Sequence, residues 1–256
     1  MSITRIDCQF HRYPLAGERS GYVALNPSGR PGSLVFAGSS AAREGISSQV
    51  ASKLSREHFV SAVLDYFARV EQGQRQNLGE EEISLEVLES AFKNANTSVY
   101  SFGHKLAAGG RMAASLLGIV VEKKVVAAGR VGPGSAYLYR GGELFPFFES
   151  RQFGSDTASL EQLIGAHSIV SVELSSVPVA EDDIIVAFSE VLDSDTELQL
   201  TMLLAEEPLI PEASLVDYHM RRIIPRLFGE PNEVLFAMVA RIGPEAIYLG
   251  TALERR

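Results

Sequence analysis

The chain has 256 residues, 46% of them hydrophobic and 21% charged, proportions of an ordinary globular protein that exclude a disordered polymer. Lys and Arg total 23 against 32 Asp and Glu, a formal net charge of −9. With no basic cluster, such a surface is repelled by phosphate backbones and anionic lipid, so neither nucleic acid nor membrane is an expected partner.

The length suits one large domain, because no linker separates two cores, and a single domain over residues 1–256 is expected. Cys8 is the only cysteine, so neither an intramolecular disulfide nor a Cys-based zinc site can form. It falls in the apolar-alternating run Ile3–Phe10 and reads as a small strand residue. Ser2, Thr4, Arg5 and Asp7 do not make a signal peptide. The most apolar stretch, Met112–Gly129, is interrupted by Glu122, Lys123 and Lys124 and is not a bilayer span. A cytoplasmic, bacterial-type protein is the expectation.

In chain order, extended segments come first: Ile3–Phe10, Tyr22–Leu25 and Ser33–Ala37, the last two separated by the turn-rich stretch Asn26–Gly32. That stretch is either a loop at the rim of a cleft or a remote hairpin. Ile46, Val50 and Leu54, then Phe59, Val63, Phe67 and Val70, recur at three- and four-residue spacing and predict two helical stretches. A polar loop, Gln72–Glu82, follows. Leu85, Leu88, Phe92, Ala95 and Val99 then predict a second long helix, with Glu80–Glu82 suited to its positive end.

Strands return with Ala113–Val121 and Val125–Val131 around a tight Glu122-Lys123-Lys124 connection. Ser135–Arg140 and Glu143–Phe148 flank Gly141-Gly142, a two-residue turn that tolerates positive φ at both centres. These four segments predict an antiparallel meander. Ile169–Leu174 and Asp183–Ser189 read as two more strands, Asp195–Glu206 and Pro211–Phe228 as helices, and Glu233–Arg241 and Ala246–Ala252 as final strands. Two helix pairs and many strands pack most economically as an α+β, four-layer αββα sandwich, two antiparallel sheets flanked by helix pairs.

Common chemical constellations are weak here. Gly129, Gly132 and Gly134 lead into a strand with no Gly-Lys-Ser/Thr, which favours a turn over a nucleotide site. The histidines His11, His58, His104, His167 and His219 are scattered, without the i, i+4 pairing of a helical zinc site. Glu80–Glu82 and Glu181–Asp183 read as a solvated loop and a turn. No Gly-x-Ser-x-Gly elbow occurs.

One region is more specific. Ala113-Ala114-Ser115-Leu116-Leu117-Gly118-Ile119-Val120, a hairpin, and then Val131-Gly132-Pro133-Gly134-Ser135-Ala136-Tyr137-Leu138-Tyr139-Arg140 resemble the PPM-type (type 2C) metal-dependent serine/threonine phosphatases. That family typically carries a Gly-Thr-Thr-Ala strand followed by Val-Gly-Asp-Ser-Arg-Ala-Tyr-Leu. Leu88–Asn96 is similar to its helix bearing Ala-Phe and Ala-Asn, and Asp183–Leu192 to its strand ending Ser-Asp-Gly-Leu. The likeness extends over roughly Gly17–Arg241 and is nearest the sporulation and stress-response branch.

The resemblance implies the αββα fold and a centre where carboxylates hold two Mg²⁺ or Mn²⁺ ions around a bridging water. At the positions that match the family's ligands stand Tyr22, Gly38 (followed by Ser39), Glu190 and Asn232. Only Glu190 keeps a carboxylate, so no metal, cofactor or catalytic residue is expected, and Mn or Mg only under the alternative below. Glu230, Asp193 and Asp195 are the nearby acids that could stand in, whereas the first acid after Gly38 is Glu44.

The implied function is that of a pseudophosphatase, a catalytically inactive phosphatase-fold protein acting as a protein-binding or regulatory module in phosphorylation-linked signalling. By analogy, its partner would be a kinase, a phosphoprotein or a regulator. One alternative is a weak Mn- or Mg-dependent serine/threonine phosphatase with rearranged ligands. Another is a self-associating structural protein, a homodimer through the apolar strand Leu144-Phe145-Pro146-Phe147-Phe148, whose mid-strand proline suits an edge.

Overall fold

A computed structural model of the chain describes residues 8–9, 20–27, 32–71, 80–106, 112–122, 124–149, 163–206, 208–210, 212–229, 236–244 and 246–251. The elements run β1 (Cys8–Gln9), β2 (Ser20–Leu25), β3 (Leu34–Ser40), α1 (Ile46–Glu71), α2 (Glu80–Lys105), β4 (Leu116–Glu122), β5 (Val125–Val131), β6 (Ser135–Arg140) and β7 (Glu143–Pro146). They continue with β8 (Glu173–Pro178), β9 (Ile184–Phe188), α3 (Ser194–Leu204), α4 (Glu212–Phe228), β10 (Ala237–Ile242) and β11 (Ile247–Thr251). One sheet has the order β2-β3-β4-β5-β8 and the other β1-β11-β10-β9-β6-β7. The four-layer αββα sandwich expected from the order of elements is the observed fold. One ladder departs from the antiparallel rule: β1 runs parallel to β11.

Three apolar layers explain why the central strands read as near-continuous apolar runs. Leu34, Phe36, Leu117, Ile119, Ile185, Ala187 and Met238 fill the space between the sheets. Their neighbours Val35, Ala37, Leu116 and Val120 meet α1 and α2, while Ile184, Val186, Phe188 and Val239 meet α3 and α4. Strands covered on both faces have no polar side to show.

Several sequence expectations need correction. The predicted meander is split: β4 and β5 belong to the five-stranded sheet, β6 and β7 to the other. The chain changes sheet at Gly132-Pro133-Gly134, where both glycines have positive φ, 82° and 144°. The two predicted helical stretches are one helix, α1, with no Gly or Pro to interrupt it. Ile46, expected on its apolar stripe, is exposed, and Ala51, Ser52 and Ser55 are buried instead. The strand expected at Ile169–Leu174 lies at Glu173–Pro178, in the register that pairs Val125 with Pro178. Finally, Phe147 and Phe148 belong to the core between the sheets, so the apolar strand proposed as a dimer interface exposes only Phe145 of its three phenylalanines. That strand does lie at a sheet edge, as its proline suggests.

Gly141 and Gly142 both take positive φ in the β6–β7 turn, as anticipated. The pairs Tyr22–Gly38 and Leu25–Val35 put Leu25 at the end of the ladder away from Gly38, and residues 28–31 of the turn-rich stretch lie outside the described residues. Gln72–Leu78 and Gly79 lie outside the described residues, as does most of Glu149–Gly165. Glu80–Glu82 open α2 rather than ending a loop. Asp183, expected in a solvated turn, is buried and bonded by Arg140 Nε at 2.8 Å and Nη2 at 2.5 Å.

Two glycines let the α1–α2 layer close on its sheet. Gly118 and Gly129 face each other across β4–β5, and the rings of Phe59 and Phe92 lie on them, 5.1 Å apart and edge-on. A Cβ on Gly118 would stand 2.3 Å from the Phe59 ring. The Gly118→Ala variant is therefore expected to lose about 1–3 kcal/mol of stability by overpacking, read as a lower urea midpoint.

On the opposite face, His219 of α4 is 1% exposed, and its ring nitrogens make no well-formed hydrogen bond among the described residues. Burial is the main cause of its lowered pKa; Arg241 and Arg222 act the same way, against the Leu203 carbonyl and Glu206. The imidazole is thus neutral in the fold but takes a proton near pH 6.5 once unfolded. The unfolded state binds more protons below that point, so stability is expected to fall as pH drops from about 6.5 towards the lower folded value. Urea midpoints between neutral and mildly acid pH should fall more steeply for the native chain than for His219→Leu.

Candidate functional site

Tyr22 and Gly38 sit directly opposite each other on β2 and β3. The pleat turns Gly38 towards the space between the sheets, and that space is taken. A Cβ at Gly38 would lie 2.4 to 2.6 Å from three atoms of the Phe236 ring, a side chain only 1% exposed. The Phe236 ring packs at 6.0 Å from Phe36, which in turn stacks on Tyr22 at 6.1 Å with 20° between planes. This end of the sandwich is closed by aromatic rings.

Ser39, one residue on, faces the other way. Its hydroxyl donates to the Ser115 carbonyl at 2.6 Å, and its own carbonyl accepts from Ser52 Oγ at 3.2 Å and Arg56 Nη1 at 3.4 Å. Arg56 also donates to Ser52 Oγ at 2.8 Å. These groups form a polar seam between β3 and α1, with Arg56 lying where a side chain at Gly21 would project. Ser39 belongs to this seam, on the opposite face of β3 from the Gly38 space.

Glu190 follows β9. The Ser189 amide donates to the Phe236 carbonyl at 3.1 Å, which brings the β9 end to the same end of the sandwich as Gly38. Ser135 Oγ holds the Glu190 carbonyl at 2.7 Å, and the Glu190 residue itself is exposed. Asn232 and Glu230 lie outside the described residues. The fold thus places Tyr22, Gly38 and Glu190 at one end and turns Ser39 away.

Of the candidate substitute acids, one already has a structural role. Asp193 caps α3, accepting from the Thr196 amide at 2.8 Å, and that bond holds its carboxyl below the ordinary carboxylate range. Asp195 lies in the first turn of the same helix, and Glu44 is exposed ahead of α1. Among the described residues there is no group of three or more His, Cys, Asp or Glu able to hold a metal ion. A stacked tyrosine, a glycine closed by a ring and one exposed carboxylate do not fit a two-cation centre, because two hard cations need several anionic oxygens.

A small crevice beside this end is lined by Arg130, Ser135, Tyr137, Phe148, Glu149 and Val191. Arg130 is 2% exposed and spends its donors on structure: Glu173 Oε2 at 2.9 Å and the Gly134 and Glu149 carbonyls, each also at 2.9 Å. Its guanidinium lies 4.8 Å from the Phe148 ring centre. The Tyr137 hydroxyl donates to Glu197 Oε1 at 2.9 Å, and burial, then that carboxylate, push its pKa far up. It is no base at neutral pH.

Phe236 and Arg130 were not singled out from sequence. Arg130 had a local signal, a lone cation within the apolar run Val125–Val131. Phe236 had none, since its partner at Gly38 is remote in the chain.

The sequence matches no protein-family model, and no curated protein matches it. Solved structures do. The serine/threonine phosphatase Stp1 from Staphylococcus aureus is 16% identical, with a TM-score of 0.61 over 94% of this chain and 97% of that one. The catalytic domain of the serine/threonine protein phosphatase PstP, in complex with two manganese ions, is 16% identical, with a TM-score of 0.56 over 88% and 98%. PppA, a key regulatory component of T6SS in Pseudomonas aeruginosa, is 13% identical, with a TM-score of 0.55 over 89% and 99%. At such identities the likeness establishes the fold, and the chain has the sandwich fold of the PPM-type serine/threonine phosphatases.

Proposed function

We propose that this chain is a phosphatase-fold protein without a hydrolytic metal centre, which acts as a protein-binding or regulatory module. The observation that carries the reading is the Phe236 ring, packed into the space that any side chain at Gly38 would need. The carboxylate that the fold's phosphatases would present there is not merely missing; its volume is filled. Tyr22, directly opposite, lends a ring to the same aromatic packing. PppA, a regulatory component of a secretion system, is a structural neighbour consistent with a regulatory role. A kinase, a phosphoprotein or another regulator is the class of partner this reading implies.

No catalytic step follows from the residues in place. In this fold's phosphatases a metal ion would supply the activated water, and the buried Tyr137 hydroxyl, held protonated by its raised pKa, is tied to Glu197. What this end of the fold offers instead is a closed apolar surface beside the exposed Glu190.

Titration calorimetry of the chelator-stripped protein with Mn²⁺ is expected to show no saturable heat up to millimolar metal, and phosphate-ester hydrolysis to stay at the buffer rate. Saturable binding at micromolar metal that disappears in Glu190→Ala would overturn the reading in favour of a phosphatase with rearranged ligands.

The same closure makes restoration costly. Gly38→Asp would press an unpaired carboxylate against Phe236, and a loss of about 3–5 kcal/mol in stability is expected, measured by urea denaturation. A Gly38→Asp variant as stable as the native chain would show that the ring yields readily.

A further inference from the structure

α3 is apolar on two opposite faces. Leu200, Leu203 and Leu204 are buried against the sheet and α4. On the other face Leu198 is 62% and Met202 65% exposed, four residues apart and therefore neighbours on the helix surface. Ala205 continues that line, and Leu209 and Ile210 follow in the connection to α4, Leu209 fully exposed. Of the nine large apolar residues that are exposed among the described residues, four fall here. The outward stripe of a surface helix is ordinarily polar. Among the described residues nothing covers this face.

The charges at the N-terminal end of α3 share one sign. Asp193 caps the helix, Asp195 and Glu197 occupy its first turn, and its last turn carries no basic residue. Glu206, just beyond its end, is paired with Arg222 at 2.5 Å, so that cation is already satisfied. A second copy of α3 laid parallel on this face would bring acid against acid, and the chain's formal net charge of −9 opposes self-association in any orientation. The complementary occupant is a basic one.

We propose that the exposed face of α3, from Leu198 through Met202 to Ala205, docks a basic amphipathic helix of a partner protein. Its leucine-type side chains would seat on the stripe, and its Lys and Arg would meet Asp193 and Asp195. Helix-on-helix docking reads i, i+3, i+4 and i+7 anchors, the spacing at which Leu198, Met202 and Ala205 present themselves. This names the partner chemistry for the binding-module reading and rests on that reading only in supposing that the chain works through a partner.

The test uses the full chain and a synthetic helical peptide with Leu at i, i+3, i+4 and i+7 and Lys elsewhere, with a Glu-for-Lys peptide as its counterpart. Calorimetry or fluorescence anisotropy should show saturable, salt-sensitive binding of the Lys peptide and none of the Glu peptide. The double variant Leu198→Ser/Met202→Ser keeps every charge and alters only exposed positions, and should bind the Lys peptide about tenfold or more weakly. Asp195→Lys should weaken it with the stripe intact. Equal affinity for native and double-variant protein would reduce the effect to bulk charge and overturn the proposal. So would equal binding of the Glu peptide, or a dimer in sedimentation equilibrium that the double substitution abolishes. Because Mn²⁺ binding is measured separately, a failed metal prediction and a failed docking prediction are distinguishable.

Discussion

A buried guanidinium ties the two sheets together where the chain passes from one to the other. Arg130 ends the apolar run of β5, pairs with Glu173 on β8, and reaches out of its own sheet to the carbonyls of Gly134 and Glu149. A buried cation is costly unless its donors are met, and here several are met by groups that only this crossing geometry brings together. The consequences run onward through the chain. Gly134 precedes Ser135, Ser135 holds the Glu190 carbonyl, and the β9 end is thereby fixed beside Phe236. The end of the sandwich where the candidate site lies is positioned by a charge that takes no part in it.

On the function proposed above, exchanging charge for aromatic surface at that end would be a coherent change rather than piecemeal loss. Several carboxylates close together repel one another unless cations hold them, so a centre that loses its metals gains by losing its acids too. The vacated volume must still be filled, since protein interiors are close-packed and a void costs about 1 kcal/mol or more per missing methylene group. Phe236 over Gly38, and Tyr22 over Phe36, fill it. The glycine is essential to this arrangement because any Cβ would collide with the ring. A similar logic recurs across the sheet, where Gly118 and Gly129 admit Phe59 and Phe92. In both places a strand gives up a side chain so that an aromatic ring can lie on its backbone.

These examples also mark how far the sequence was legible. Local patterns were reliable: the Gly141-Gly142 turn, the β4–β5 hairpin, the α2 helix and the apolar runs of strands covered on both faces all follow from neighbouring residues. The layer order followed from counting which elements must bury a face. Sheet membership did not, because a Gly-Pro-Gly crossing and a hairpin look alike when only their turn residues are read, and Arg130's distant partners decide between them. The β8 register depended on pairing with β5 rather than on the apolar alternation of Ile169–Leu174. At the candidate site, the identities at Tyr22, Gly38 and Glu190 were readable through the resemblance. That Ser39 faces away follows from the pleat, but the closing ring at Phe236 comes from a long-range contact with no local trace.

Closure of the site and exposure on α3 bear on each other. A fold whose interior cleft is packed with rings can still interact through its outer faces, and its helices are the natural place to look. α1, α2 and α4 each turn a buried apolar stripe to a sheet. α3 does the same with Leu200, Leu203 and Leu204, yet keeps Leu198 and Met202 in solvent next to Asp195. Keeping apolar side chains exposed promotes unwanted association, and an acidic border limits that by repelling further copies of the same acidic chain. The border does not repel a cationic helix. Apolar surface and like-signed charge on one short helix therefore discriminate between partners, discouraging self-association while favouring a basic one.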